Sequence, residues 1–162
     1  MPNLKIYHYL NLIFFLSLIS IISAYYIEYI LGHQPCNLCL IERIPYILSL
    51  IVLLLNYKFK KNEKFFILLL ILIFIFSFLI SSYHFGIEQG FIEESLICDL
   101  KSGSDILTKE ELLLELQKKQ ISCKDVTFRI FGLSLTSINI FISLILVILL
   151  TKIFVSYEKI KQ

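Results

Sequence analysis

Two closely spaced cysteines and a following arginine form a motif that could carry redox chemistry. Cys36 and Cys39 form a C-x-x-C motif directly after Pro35, at the start of an apolar run. Proline suits the first position of a helix. We therefore expect both sulfurs near unpaired backbone N–H groups, which favour the reactive thiolate. Arg43 follows Cys39 by four residues, so it should share a helical stripe with both cysteines and could stabilise negative charge there.

Each of these residue types also has a structural interpretation. A C-x-x-C motif can be half of a zinc site, and Arg43 can be an interfacial side chain that pairs with Glu42. Cys98 and Cys123 are too far apart in sequence for the other half of a zinc ribbon, so we expect no metal. A disulfide across their loop would stabilise by roughly 3 kcal/mol in the entropic model. It could equally be a labile bridge that exchanges with an external dithiol, and the sequence leaves both possibilities open.

One histidine is predicted to lie at the same membrane depth as the C-x-x-C motif. His84 ends the third apolar run, and Glu88 follows four residues later. At that position an imidazole could donate to a ligand oxygen or relay a proton, although an interfacial histidine is more often structural. His8 and His33 are assigned no role, and the three histidines do not form the stacked pairs of a bis-histidine haem site. Asn139, inside the last apolar run, is expected to make an interhelical hydrogen bond.

The elements that must position these residues are four apolar runs. Of the 162 residues, 57% are hydrophobic and 17% are charged, whereas a soluble domain carries about a quarter charged residues. A helix of roughly 20 apolar residues spans the hydrocarbon core. We therefore predict one membrane domain over residues 1–162, an all-α bundle of four transmembrane helices, with no basic region for nucleic acid. The helices are expected at approximately 10–31, 40–57, 65–84 and 130–152, and the two outer loops at approximately 32–39 and 86–129.

The distribution of lysines sets the expected orientation. Lysines concentrate in the loop 56–64 and in the C-terminal tail, and such residues mark the cytoplasmic side. Both termini are then cytoplasmic, and all four cysteines face the periplasm, where disulfides persist. The first apolar run is longer than the h-region of a signal peptide, so we expect it to stay as an uncleaved helix.

The second outer loop is expected to contain a short helix of its own. Thr108 and Glu111 fit a capping box, and Leu112, Leu113 and Leu116 follow on one face. Such a helix could lie on the outer membrane surface or pack on the bundle, and its amphipathicity favours neither.

Several segments together resemble the DsbB family, the bacterial inner-membrane disulfide-bond formation proteins. The resemblance covers the four helices, the order of the cysteines and the intervening lengths. The segments are Gln-Pro-Cys-Asn-Leu-Cys-Leu-Ile-Glu-Arg (34–43), Tyr-His-Phe-Gly-Ile-Glu-Gln-Gly (83–90), Cys-Lys-Asp (123–125) and Phe-Gly-Leu-Ser-Leu (131–135).

The resemblance implies a reaction and a role for each cysteine. A periplasmic DsbA-like thiol oxidase of thioredoxin fold would attack the Cys98–Cys123 bridge, with Cys98 forming the mixed disulfide. Electrons would then pass to Cys36 and Cys39. Cys36 would take part in exchange between the loops, and Cys39 would react with a membrane quinone, either ubiquinone or menaquinone.

The resemblance also implies a set of quinone-binding residues. Arg43 matches the family arginine implicated in quinone binding, and His84 lies near the family histidine that ends the third helix. With Cys39, these are the expected quinone-binding residues. The chain is thus predicted to be a protein-dithiol:quinone oxidoreductase of the bacterial inner membrane.

Two other functions share parts of this pattern. An enzyme of the vitamin K epoxide reductase type also has four helices and a C-x-x-C motif, but its wide cysteine pair precedes that motif, whereas here it follows. A non-enzymatic membrane protein with two structural disulfides, or with a structural metal, would change in stability under mild reductant without passing electrons to quinone.

Overall fold

Four long helices account for most of the residues that this computed structural model describes, which are 2–59, 62–93, 122–124, 128–130 and 132–161. The helices are α1 (Pro2–Tyr29), α2 (Asn37–Lys58), α3 (Glu63–Glu88) and α4 (Leu135–Lys161). Each contains a stretch long and apolar enough to cross a membrane. The predicted all-α, four-helix membrane fold is confirmed. Cys98 and the helix expected after Thr108 lie outside the described residues.

The bundle has an apolar surface and a partly polar interior, the reverse of a soluble domain. Large hydrophobic side chains such as Phe15, Leu79 and Phe141 are more than half exposed. The fully buried serines are Ser17, Ser49, Ser77, Ser81 and Ser143. Their hydroxyls pair between helices, at 3.1 Å from α1 to α2 and at 3.0 Å from α3 to α4. Because lipid is as apolar as leucine, such close packing and interhelical hydrogen bonds hold the helices together.

Two buried clusters divide the interior along the membrane normal. The larger cluster includes Leu10 of α1, Leu53 of α2, Phe74 of α3 and Leu150 of α4. The smaller one lies where α2 begins and α3 ends, and consists of Cys36, Leu38, Ile87 and Cys123. The described cysteines therefore lie at one end of the bundle, and the larger cluster of apolar side chains extends toward the other end.

The starts of α2 and α4 differ from the predicted boundaries. Helix α2 begins at Asn37 rather than near residue 40, with Cys36 as its N-cap, so Pro35 precedes the cap instead of opening the helix. Helix α4 begins at Leu135 rather than at residue 130. The residues before it form a short antiparallel hairpin of β1 (Arg129–Ile130) and β2 (Leu133–Ser134).

The physical reason for the later start of α4 is local. Gly132, between the two strands, has φ +84°, which a helix cannot accommodate. The Ser134 side chain then accepts a hydrogen bond from the backbone N–H of Ser137 at 3.2 Å, as an N-cap residue does. Apolar composition alone shows neither feature.

The C-terminus of α3 is closed by a glycine that places His84 and Glu88 in the last turns of the helix. Gly90 has φ +76°. The N–H of Phe91 donates to the carbonyl of Gly86 at 2.9 Å, and the N–H of Gly90 donates to the carbonyl of Ile87 at 3.0 Å. These two bonds form a Schellman motif. The helix therefore extends to Glu88 rather than ending at the predicted residue 84.

Replacing this glycine should loosen the end of α3. A Cβ at Gly90 would meet no atom within 4 Å, so the only cost of Gly90→Ala is the left-handed backbone, about 1 kcal/mol. We expect a lower unfolding midpoint for Gly90→Ala in a denaturant titration of the detergent-solubilised protein. Gly90→Asn is the matched control, because asparagine tolerates this backbone conformation. Equal midpoints for the alanine, asparagine and glycine proteins would contradict the assignment.

Candidate active site

The C-x-x-C motif forms a close pair of thiols at the start of α2. The Sγ atoms of Cys36 and Cys39 lie 3.0 Å apart, well beyond the length of about 2.05 Å of a disulfide bond. Cys36 is buried and Cys39 is half-buried. The backbone N–H of Cys39 donates to the Cys36 sulfur at 3.4 Å. The helix N-terminus thus points a donor at Cys36, which stabilises negative charge on that sulfur.

His84 connects this thiol to a buried carboxylate. Its Nε2 atom lies 3.5 Å from the Sγ of Cys36, and its Nδ1 lies 2.8 Å from an oxygen of Glu42. Because a carboxylate accepts, Nδ1 carries a proton, and Nε2 is left to exchange one with the thiol. A thiol, an imidazole and an orienting carboxylate in line are the arrangement that activates a nucleophilic cysteine. The structure therefore brings together two predicted residues, Cys36 and His84, through a third that the sequence analysis gave no catalytic role.

Polar side chains from three helices hold Glu42 in place. The amide of Asn139 donates to the second Glu42 oxygen at 2.9 Å and to the hydroxyl of Ser81 at 2.7 Å. Its carbonyl oxygen accepts from the hydroxyl of Tyr46. The interhelical hydrogen bond predicted for Asn139 is confirmed. A sequence signal was available for Glu42, because Cys39, Glu42 and Tyr46 share one helical face and a carboxylate within a span is a candidate functional residue.

A second carboxylate approaches the histidine from the end of α3. Thr136 donates its hydroxyl proton to Glu88 at 2.6 Å. The hydroxyl oxygen of Thr136 also lies 3.2 Å from Nδ1 of His84. The Glu88 oxygen Oε1 is 4.0 Å from Nε2 of the histidine, and the Glu88 side chain is only 6% exposed. Within the described part of the chain, its other oxygen is buried without a hydrogen-bond partner. Thr136 was not anticipated, because a threonine at the start of an apolar run carries no sequence signal of this contact.

The guanidinium of Arg43 contacts α1. Its Nη1 donates to Glu28 at 2.5 Å, and its guanidinium carbon lies 5.1 Å from the centre of the Tyr25 ring. The structural alternative pairs Arg43 with Glu42, but Glu42 contacts His84 and Asn139 instead. Glu28 could not be predicted as the partner of Arg43, because this carboxylate lies inside the first apolar run, far in sequence from the C-x-x-C motif.

One member of the wide cysteine pair lies beside the C-x-x-C motif. Cys123 is only 3% exposed and belongs to the same buried cluster as Cys36, together with Leu38 and Ile87. The structure therefore places Cys123, from the segment between α3 and α4, in the same buried cluster as the N-cap residue Cys36. Cys98, its predicted disulfide partner, lies outside the described residues.

Comparison with known proteins identifies the family of this chain. The sequence matches the family described as "Disulfide bond formation protein DsbB" over residues 7–153. The chain belongs to the DsbB family. It is also 30% identical, over 151 residues, to the uncharacterized protein RP370 of Rickettsia prowazekii (strain Madrid E), an alignment that covers 89% of this chain and 86% of the relative. No solved structure matches this chain. As a DsbB family member with four membrane-spanning helices, the chain is a membrane protein of disulfide-bond formation.

Loss of the imidazole should make the Cys36 thiol less reactive. A hydrogen bond to a charged group contributes about 1.5–3 kcal/mol, so its removal in His84→Ala should slow alkylation of Cys36 by about 10–100-fold in the reduced protein. The measurement is the rate of adduct formation at Cys36, resolved by peptide mass spectrometry. His33→Ala is the control, since the His33 ring contacts Phe128. An unchanged rate in His84→Ala would show that the imidazole does not act on this sulfur.

Proposed function

We propose that this DsbB family member reoxidises a periplasmic DsbA-like thiol oxidase and transfers the electrons to a membrane quinone. The observation that carries the proposal is the environment of the Cys36 sulfur. It lies 3.0 Å from Cys39 and 3.5 Å from His84, and it shares a buried cluster with Cys123. The Cys36 sulfur is thus close to Cys39, its disulfide partner, and to His84, a proton acceptor. It also lies near Cys123, which belongs to the loop that would receive electrons from the partner protein.

The first step is exchange with the partner protein. A thiolate of the reduced partner attacks a Cys98–Cys123 disulfide at Cys98, and the Cys123 sulfur leaves as a thiolate. The partner's second thiol then resolves the mixed disulfide, which releases the oxidised partner. Two electrons and two protons have moved to Cys98 and Cys123. These roles come from the family resemblance, and the buried position of Cys123 beside Cys36 supports the next transfer.

In the second step the electrons move between the two cysteine pairs. The Cys123 thiolate attacks a Cys36–Cys39 disulfide at Cys36, and Cys39 becomes the leaving thiolate. Cys98 then attacks the bridge between the loops and restores the Cys98–Cys123 disulfide. The C-x-x-C pair is left as a dithiol.

His84 is placed to handle the proton of Cys36 in both directions. As the Cys36–Cys39 bond forms again, Nε2 can take the proton from Cys36, while Glu42 stabilises the resulting imidazolium. The reverse transfer protonates Cys36 when it leaves a disulfide. Glu42 acts here as a positioning residue, because it fixes the ring through Nδ1.

The surface around Arg43 fits a quinone. A quinone supplies an acceptor for two electrons and two protons when bound. A guanidinium has five N–H donors, so Arg43 can hold Glu28 and still donate to a carbonyl oxygen. Tyr25, Leu40 and Ile44 beside it are each at least two-fifths exposed and apolar, as an isoprenoid ligand in the bilayer requires. We assign Arg43 to quinone binding, Cys39 to electron delivery and His84 to proton transfer.

Electron transfer can be tested by mixing a reduced DsbA-like protein with the purified, quinone-loaded chain and following quinone absorbance. The wild type should reduce quinone, and Cys98→Ser and Cys39→Ser should abolish the signal because each breaks the chain of exchanges. Arg43→Ala should weaken quinone binding by about 10–100-fold, given that charged hydrogen bonds contribute about 1.5–3 kcal/mol. Ubiquinone and menaquinone are tested in parallel.

The control for Arg43 is Glu28→Gln, which keeps a hydrogen-bonding side chain but removes its charge. It should retain quinone reduction. Wild-type protein that fails to reduce either quinone while its cysteines stay intact would overturn the proposal and leave a structural role for the disulfides.

We further propose that both termini are cytoplasmic and that the cysteines face the periplasm. The four spans and the lysine-rich loop between α2 and α3 support this orientation. Alkaline phosphatase fused after residue 93 should be active, because that fusion point would be periplasmic, and phosphatase fused after Gln162 should be inactive. The opposite pair of activities would reverse the topology and remove access of a periplasmic partner.

A further inference from the structure

We propose that the dithiol form of the site binds a thiophilic divalent cation of the Zn²⁺ type through Cys36, Cys39 and His84. One ligand atom from each, the two sulfurs and an imidazole nitrogen, all lie within 4.8 Å of one another. Thiolate and imidazole are the ligands that zinc prefers, and two cysteines with one histidine form a known three-residue zinc set. The proposal concerns the reduced protein alone and does not require the electron-transfer function.

The distances already approach those of a tetrahedral centre. Bonds of about 2.3 Å to sulfur and about 2.05 Å to nitrogen place tetrahedral S and N ligands about 3.6 Å apart, and two S ligands about 3.8 Å apart. The observed separation of Cys36 Sγ and His84 Nε2 is 3.5 Å, and that of the two sulfurs is 3.0 Å. Cation binding therefore needs only a small outward movement of the half-buried Cys39 side chain.

The surroundings of the histidine are those of a metal ligand. A metal-binding imidazole almost always donates its other ring N–H to a carboxylate, which fixes its tautomer and orientation. Here Nδ1 of His84 lies 2.8 Å from Glu42, and Glu42 is itself held by Asn139 at 2.9 Å. This leaves Nε2 on the side of the Cys36 sulfur, 3.5 Å away.

Glu88 is placed to complete the coordination. Its side chain is 6% exposed and its Oε1 lies 4.0 Å from Nε2 of His84. In the described part of the chain, its Oε2 is buried with no hydrogen-bond partner. A buried carboxylate oxygen without a donor is costly, and a cation would relieve that cost. Glu88 lies outside the group of ligand atoms within 4.8 Å of one another, so we assign it to the fourth position through one water.

Cation binding would compete with disulfide chemistry. Both sulfurs must be thiolates to bind the cation, so a Cys36–Cys39 disulfide excludes it and binding displaces the thiol protons. With the cation in place, neither sulfur is available for exchange with Cys123 or for oxidation. The cation would therefore hold the site reduced, and oxidation of the pair would release it.

The test is an anaerobic titration of the full-length, reduced protein in detergent. Co²⁺ should bind at one equivalent and give the visible ligand-field bands of a tetrahedral thiolate site, and Zn²⁺ should displace it. His84→Ala should weaken binding by about 100-fold or more, and Glu42→Gln by about 10–100-fold. His33→Ala and the Cys98→Ser/Cys123→Ser double variant should bind as the wild type does.

Protection from alkylation gives a second measurement on the unmodified protein. Zn²⁺ should slow modification of Cys36 and Cys39 in the reduced wild type, and this readout does not depend on whether a variant folds. The proposal is overturned if His84→Ala binds like wild type, if the oxidised protein binds equally well, or if binding requires Cys98 and Cys123. Absence of cation binding with intact quinone reduction would remove this inference and leave the proposed function standing.

Discussion

The hydrogen bonds of the Glu42 carboxylate are the contacts on which the rest of the site depends. In a bilayer no water reaches the interior, and each unsatisfied polar group costs several kcal/mol, so a carboxylate inside a span must find its partners in the protein. Glu42 takes one from α3, His84, and one from α4, Asn139. These two bonds link three helices at a single point. They also fix the plane of the imidazole and thereby its approach to Cys36.

The same constraint explains how the bundle is assembled below the site. The lipid-facing side chains contribute no specificity, because lipid and leucine are equally apolar. Small polar residues at the interfaces determine which helix faces meet, as in the Ser77–Ser143 contact. Tyr46 connects this level to the site, since its hydroxyl donates to Asn139 and lies 3.5 Å from Ser143. A register shift of any one helix would break several of these bonds together, which favours one arrangement of the helices.

Sequence patterns predicted the spans and the family better than the contacts between helices. Long apolar runs determine the fold because hydrocarbon thickness sets helix length. The N-cap position of Cys36 and the start of α4 escaped prediction, because a cap and a glycine with positive φ depend on individual backbone angles. Arg43 was expected to share a stripe with the cysteines. Helical spacing predicts only the direction of the Cα–Cβ bond of Arg43. The partner of its long side chain depends on which residues of other helices pack beside it, and here that partner is Glu28.

The arrangement proposed to activate Cys36 would also leave the dithiol open to cation binding. A thiolate with an oriented imidazole and a buried carboxylate nearby is good for disulfide exchange, and it is equally good for ligating a soft cation. The same geometry serves both, because proton exchange with Cys36 and cation binding each use Nε2 of His84 beside the Cys36 sulfur. The redox state can separate them, since a disulfide has no thiolate to offer. A family member that rests with Cys36 and Cys39 oxidised would expose the cation-binding form only between electron receipt and delivery. Rapid delivery to the acceptor would therefore protect the site as well as complete the reaction.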